Sequence, residues 1–331
     1  MFEKIANLIT KANKIVIVQA ENPDGDSIGS ALALEEILGD LGKEVSLHCP
    51  VQIPKYLRYI SGWDRIGDDF DTSADLVIIV DTTSKILLGR VLDNPPISNF
   101  LENNPVIIFD HHKTEGDLTF KYESIIDEKA VSTGEIIIKM CEELNWKINP
   151  QAASHLYVSI QSDTLGLTTE NITSNSFRLV AELIDKGANP IALEHARREF
   201  MKKQPEILEY KGRLLERIEY SLEGRLALIH IPWEEIEEYS DKYNPTMLVL
   251  DEMRQVIGVD IAVGVKTYPD GKLTGKIRAN LPVAEIVAGY FGGGGHAYAS
   301  GFRIYENLDD FTPELTTAVD KALKEHDNEN L

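Results

Sequence analysis

Along the first half of the chain, short unbroken apolar runs alternate with stretches of helical spacing. The runs are KIVIVQA (14–20), EVSLHCP (44–50), ADLVIIVD (74–81) and NPVIIFD (104–110). Apolar residues without alternation mark strands buried on both faces. Between the first two, SALALEEILGDLG (30–42) places its apolar residues at helical spacing and closes on glycine. Strands separated by helices in this way predict an α/β fold, a mostly parallel sheet with helices on both faces. Further helices are predicted over 132–144, 150–164 and 174–188.

From 191 to 220 the pattern is charged and helical, and it reads as a connector. Beyond it strands follow one another in hairpin order. GRLALIHIP (224–232) is one, a helix follows near 233–255, and 259–280 reads as two strands joined at Pro-Asp-Gly, 269–271. A helix over 283–290 leads into four consecutive glycines, a run expected to be neither helix nor strand. A final strand and helix complete a smaller α+β domain. The expected organisation is thus a first domain over 1–190, the connector over 191–220, and a second domain over 221–331.

Composition adds bounds to this picture. The net charge of −21 argues against binding long duplex nucleic acid, though it leaves room for a small phosphate-bearing ligand. No apolar run approaches the roughly 20 residues that span a bilayer, so no membrane partner is expected. The first fourteen residues lack the apolar centre and cleavage site of a signal peptide. Only Cys49 and Cys141 occur, both in apolar surroundings, which fits buried thiols in a reducing cytoplasm.

The candidate chemistry sits at strand ends. Asp24 and Asp26 follow the first strand, Asp81 ends the third, Asp110, His111 and His112 end the fourth, and Asp163 ends a helix. In open parallel sheets the carboxyl ends of the strands line the ligand crevice. Carboxylates and imidazoles without thiolates suit Mn²⁺ or Mg²⁺, with Fe²⁺ or Co²⁺ as alternatives. So many anionic groups suggest two ions about 3.5–4 Å apart. Each aspartate also has a plainer reading as a cap or turn residue, and Asp26 could cap a helix starting near Ser27. In the second half, Arg278 precedes the glycine run (292–295) and His296, a pattern able to clamp a terminal phosphate.

The segments NPDGDSIGS (22–30), VDTTS (80–84), FDHHKT (109–114), SDTLGL (162–167) and FGGGGHAYASGF (291–302) together resemble the DHH phosphoesterase superfamily. Within it they are most similar to the branch of NrnA-type oligoribonucleases and 3′-phosphoadenosine 5′-phosphate phosphatases, and the resemblance covers nearly the whole chain. It implies that Asp24 binds a first Mn²⁺ (or Mg²⁺ or Co²⁺) and Asp26 a second, with Asp81 bridging and His111 and Asp163 completing the second site. It also implies that Asp110 orients a histidine and that His112 contacts the scissile phosphate. Arg278, Gly293, Gly294, Gly295 and His296 would hold the substrate from the second domain. The implied substrates are nanoRNA, dinucleotides and 3′-phosphoadenosine 5′-phosphate, cleaved by hydroxide attack in a cleft between domains. A homodimer is the implied assembly.

One departure stands out. Two residues before Asn-Pro-Asp the family carries histidine, and here Ala20 takes that place. Three outcomes follow. Glu21 or Gln19 substitutes for the imidazole, or water fills the gap and the first ion binds weakly, or hydrolysis is lost and the chain binds nucleotides or cyclic dinucleotides only. A milder departure is DTLGL (163–167), where many members have Asp-Thr-Gly.

Overall fold

The computed structural model describes residues 2–112, 116–240 and 243–329, apart from the side chains of His296 and Glu329. Lys113 and Thr114 of the FDHHKT segment lie outside the described residues. The chain forms two compact units, Met1–Lys202 and Lys203–Leu331.

The first unit is built on β1 (Lys14–Val18), β2 (Glu44–His48), β3 (Ile66–Gly67), β4 (Leu76–Val80), β5 (Val106–Asp110) and β6 (Glu123–Ile126). They form one sheet in the order β3-β2-β1-β4-β5-β6, with every pairing parallel. Its helices are α1 (Glu3–Lys11), α2 (Gly25–Asp40), α3 (Gly89–Leu92), α4 (Pro95–Asn103), α5 (Thr133–Leu144), α6 (Pro150–Asp163), α7 (Ser174–Asp185) and α8 (Pro190–Phe200). Alternation along the strands supplies two cores. Ile15, Ile17, Ile78 and Phe109 pack with α2, α5 and α6, while Val16, Val18, Ile79 and Ile108 pack with Val91, Ile97 and Leu101 on the other face. The apolar runs are continuous because both faces are covered. β3 and β6 escape sequence reading because they are short edge strands that need little apolar surface.

The second unit contains α9 (Pro205–Leu215), β7 (Glu219–Ser221), β8 (Leu226–Ile231), α10 (Trp233–Tyr239), α11 (Leu250–Arg254), β9 (Ile261–Thr267), β10 (Lys272–Ala279), α12 (Ala284–Tyr290), β11 (Gly294–His296), β12 (Ala299–Tyr305) and α13 (Leu308–Glu329). Its sheet runs β11-β12-β10-β9-β8-β7, parallel between β8 and β9 and antiparallel elsewhere. The stretch read as a connector is divided, α8 belonging to the first unit and α9 to the second. The Pro-Asp-Gly turn forms between β9 and β10, where Gly271 takes φ +78° and its N–H donates to the Tyr268 carbonyl.

Two expectations need correction here. The helix near 233–255 is broken into α10, a 3₁₀ turn at Thr246–Leu248 and α11, with Pro245 next to the break. The glycine run is partly a strand, because Gly294–His296 pairs with β12. A Cβ at Gly293 would lie 2.2 Å from the Gly301 carbonyl oxygen. The glycines therefore permit a backbone approach that no side chain allows, and main-chain pairing follows from it. Among the described residues, no helix is long and apolar enough to cross a membrane. Both cysteines are free and buried.

Candidate metal centre

The order of the first sheet reverses between β1 and β4, which are neighbours although β2 and β3 intervene in sequence. At such a switch point the connecting helices leave on opposite faces and a crevice opens beyond the strand ends. The loop after β1, the residue after β4 and the end of β5 deliver acidic and imidazole groups to that edge.

Asp24 is the N-cap of α2. Its Oδ1 accepts from the Ser27 N–H at 3.0 Å, and the Ser27 hydroxyl accepts from the Asp24 N–H at 3.0 Å. The capping role considered for Asp26 thus falls to Asp24, and α2 begins at Gly25. Asp26 is released to point inward and is fully buried. Its carboxylate accepts from the Thr133 N–H (2.7 Å), the Gly134 N–H (3.3 Å), the Ser159 hydroxyl (2.5 Å) and the Ser30 hydroxyl (3.0 Å). The first two donors lie in the opening turn of α5, where N–H groups lack helical partners and favour an anion.

α2 can bring Asp26 there because it packs closely on α6. A Cβ at Gly29 would lie 2.6 Å from the His155 carbonyl oxygen and 2.9 Å from the Ser159 nitrogen. Asp81 sits just beyond β4 in left-handed backbone, φ 66°. Left-handed conformation costs a non-glycine residue about 1–2 kcal/mol, so the surroundings must impose it. The Asp81 N–H donates to the Phe109 carbonyl at 2.8 Å, and the Thr133 hydroxyl donates to Asp81 Oδ1 at 3.0 Å.

His111 is where these groups meet. Its Nε2 lies 2.9 Å from Asp163 Oδ2 and 3.6 Å from both Asp26 Oδ2 and Asp81 Oδ1. That nitrogen is buried, yet it makes no well-aligned hydrogen bond. Atoms that crowd together without aligning as donor and acceptor converge as ligands of a common cation do. Asp26, His111 and Asp163 form one such group and Asp81, His111 and His112 another, each with ligand atoms within 4.8 Å of one another. The donor set is oxygen and imidazole only, which fits a divalent cation of the Mn²⁺ or Mg²⁺ type.

Electrostatics agree with that fit. Burial, and then the neighbouring Asp26 charge, pushes the Asp24 and Asp81 carboxyls up, Asp81 the further of the two. The same causes push Asp163 up to about 7. Burial would lower His111, but the close Asp163 carboxylate and the Asp26 charge override it and bring His111 to about 9. The cluster needs positive charge, and the imidazole proton supplies part of it.

Asp110 stands apart from this group. Its Oδ1 accepts from His112 Nδ1 at 2.8 Å and from the His112 N–H at 3.1 Å. Burial raises the Asp110 carboxyl, and the bonds and charge of His112 outweigh it and hold it low. The same pairing raises His112, against its own burial and the like charge of His111.

Ala20 is buried, and the Glu21 carboxylate lies 3.1 Å from Arg90 Nε, drawn to that cation. Gln19 is fully buried and both its side-chain polar atoms lack hydrogen-bond partners. After Asp163, Leu165 occupies the place of the glycine in Asp-Thr-Gly and takes φ 47°. In the second unit, Arg278 lies on β10, in register with Ala299 of β12, while His296 pairs with the same Ala299 from β11. Gly294 and Gly295 belong to β11, with Gly293 immediately before it. The side chain of His296 lies outside the described residues.

Sequence reading missed the residues that hold Asp26 in place, namely Ser30, Thr133, Gly134 and Ser159. One signal was present. Ser132 and Glu135 have capping-box spacing, and Ser132 does cap α5, its oxygen accepting from the Glu135 N–H. That spacing marks a helix start but not the anion placed on it.

Residues 14–160 match the DHH family, N-terminal domain, which marks the chain as a hydrolase of phosphate esters. It is 24% identical over 335 aligned residues to the Bifunctional oligoribonuclease and PAP phosphatase NrnA of Bacillus subtilis, covering 99% of this chain and all (100%) of that one. In structure it is similar to an exopolyphosphatase-related protein from Bacteroides fragilis, with TM-score 0.83, 21% identity and coverage of 98% of this chain and 96% of the other. It also resembles RecJ from Thermus thermophilus, solved in complex with Mn²⁺, with TM-score 0.56, 14% identity and coverage of 97% of this chain and 54% of the other.

Proposed function

We propose that this protein is a divalent-metal-dependent phosphoesterase of the cytoplasm. Its proposed substrates are short oligonucleotides, nanoRNA or dinucleotides, and 3′-phosphoadenosine 5′-phosphate. The observation that carries this reading is the convergence of Asp26, Asp81, His111 and Asp163 around one buried imidazole nitrogen. These four residues would hold one cation, and Asp24 with Asp81 would hold another. Such cations supply Lewis acidity at phosphorus and lower the pKa of bound water.

The chain's own groups do the rest. Asp110 accepts the Nδ1 proton of His112 and so fixes the ring. The same pairing raises the basicity of His112, which favours an imidazolium set against charge developing on a phosphate oxygen. Thr133, Gly134 and Ser159 hold the Asp26 carboxylate in one orientation, so it needs no reorganisation when substrate arrives. In the second unit, Arg278 and the backbone of Gly293, Gly294 and Gly295 would hold a terminal phosphate, with His296 beside them.

A second reading rests on Ala20. With Glu21 paired to Arg90, the end of β1 provides no nitrogen ligand, and Asp24 is engaged as a cap. The first cation is then held weakly, and in the limit the protein binds nucleotides without turning them over. One experiment separates the two. A 5′-phosphorylated RNA dinucleotide is assayed across rising Mn²⁺, Mg²⁺ and Co²⁺ for the natural protein, Asp81→Ala and Ala20→His. Turnover that Asp81→Ala abolishes supports the enzyme, and Ala20→His should lower the metal concentration for half-maximal rate. Tight nucleotide binding without turnover at any metal concentration, unaffected by Asp81→Ala, would overturn it.

A further inference from the structure

The turn that follows Asp163 holds backbone strain with no structural return. Leu165, Gly166 and Leu167 take φ 47°, 77° and 64°, consecutive residues in left-handed backbone. A residue with a Cβ is strained there. Elsewhere among the described residues the same strain has a visible use. Asn145 closes α5 as its C-cap, Leu222 and Glu223 turn the chain between β7 and β8, and Asp81 belongs to the metal centre. Leu167 is half-buried and packs on the core of the first unit. Leu165 differs from all of these. Its side chain is 72% exposed, so the chain strains a residue in order to hold a leucine in water.

The turn is also pinned. The N–H groups of Thr164, Leu165, Gly166 and Thr168 donate to the carbonyls of Ile160, Ser162, Gln161 and Thr164, and the Leu167 N–H donates to the Thr164 hydroxyl at 2.9 Å. The Thr168 hydroxyl donates to the Leu165 carbonyl at 2.8 Å. Leu165 is therefore displayed on a hydrogen-bonded backbone, not on a loose tip. The turn begins at the metal centre. A Cβ at Gly25, between Asp24 and Asp26, would lie 2.5 Å from Ser162 Oγ, so the end of α6 packs on the start of α2. Asp163 comes next, its Oδ2 2.9 Å from His111 Nε2. Leu165 is two residues further on, its Cα within about 8 Å of the Asp163 Cα.

We propose that Leu165 is a specificity residue, the apolar surface on which a nucleobase of the substrate packs when its phosphate lies at the metal centre. Strain holds the side chain in place before the ligand arrives, and the bound base takes its apolar surface out of water. The inference deepens the phosphoesterase reading and rests on a phosphate at Asp26, Asp81, His111 and Asp163. It makes the metal centre selective for the base as well as for the phosphate, so that an ester without a base is the poorer ligand at equal charge.

The test compares a 5′-phosphorylated RNA dinucleotide with its abasic counterpart, which keeps the phosphates and sugars and lacks the bases. With Mn²⁺ the natural protein should favour the dinucleotide in kcat/KM. Leu165→Gly should shrink that preference about tenfold, the size of one leucine-scale apolar contact. Leu165→Met, apolar and adaptable, should keep it. Leu165→Gly should also fold with an unchanged or higher urea midpoint, because glycine takes left-handed backbone without strain. A preference that survives Leu165→Gly, an equal loss on both substrates, a loss in Leu165→Met as large as in Leu165→Gly, or a lowered midpoint in Leu165→Gly overturns the proposal. If no metal supports turnover, the phosphoesterase reading falls, and equilibrium titration of the same two probes with Mn²⁺ decides for Leu165 separately. A base preference that Leu165→Gly removes then keeps Leu165 as the base contact, and its absence overturns that role.

Discussion

Asp26 and Asp24 are two residues apart and are handled in opposite ways. Asp24 spends one oxygen on the α2 cap, while Asp26 is carried into the interior and met by four donors. A buried carboxylate is tolerable only when its lone pairs are satisfied, and these donors satisfy it. His111 and Asp163 instead lie against each other and against other charged groups. The Asp163 carboxylate and the Asp26 charge raise His111 to about 9, and burial with the Asp26 charge raises Asp163 to about 7. Both folded values lie above the ordinary ones, 6.5 and 3.8, so the folded chain binds more protons than the unfolded chain between those limits. After chelation the stability contributed by this pair should fall as pH rises, from Asp163 between about 4 and 7 and from His111 between about 6.5 and 9. Mn²⁺ should restore stability most at the alkaline end and should release protons on binding near neutral pH. Urea midpoints with and without Mn²⁺, taken at closely spaced pH values from about 4 to 9, check the first, and proton release in weakly buffered titrations checks the second. A Mn²⁺ affinity independent of pH over that range contradicts both.

At the scale of elements, the site depends on how closely α2 lies on α6. Gly29 sets that distance, because its missing side chain lets the helix meet the backbone of His155 and Ser159. Ser159 in turn donates to Asp26, so helix packing and ligand position are one constraint. Gly29→Ala should therefore cost about 1–3 kcal/mol through overpacking, and it should weaken Mn²⁺ binding beyond what lost stability explains. Denaturant unfolding and calorimetric Mn²⁺ titration of the folded variant separate the two effects. Unchanged Mn²⁺ affinity would sever helix packing from the site. The glycines of this loop were legible as a motif, NPDGDSIGS, but the partner that demands Gly29 is more than a hundred residues away in sequence. β11 teaches the same lesson from the other side. Its glycines read as irregular because no side chain favours a strand, yet pairing with β12 makes one from the backbone alone.

Over the whole molecule, the two units keep separate cores. Ile15, Ile28, Phe109 and Leu156 belong to the first, and Leu226, Val263, Ile277 and Phe311 to the second. Asp26, Asp81, His111 and Asp163 all fall within Met1–Lys202. Calorimetric unfolding should therefore show two transitions, and saturating Mn²⁺ should raise only one, by mass action on the unit that binds it. A single transition, or an equal shift of both, would mean the units do not unfold independently. The charge of −21 belongs to this scale too. It bears on long duplexes, whereas a small phosphate-bearing ligand is met over a few ångströms, where local charges outweigh the total.

The amino-acid sequence by itself determined the parallel sheet, the helices on both its faces and the short list of acidic and imidazole residues at strand ends. These follow from local periodicity and from the rule that connections in such sheets place loops at one edge. It also exposed the missing histidine at position 20. Only the tertiary structure decided which aspartate caps α2 and which is buried, that Glu21 turns to Arg90, and that Thr133 and Ser159 hold Asp26. Each of these is a long-range pairing, set by strand register or helix contact between distant segments, and no local pattern encodes which distant segment that is.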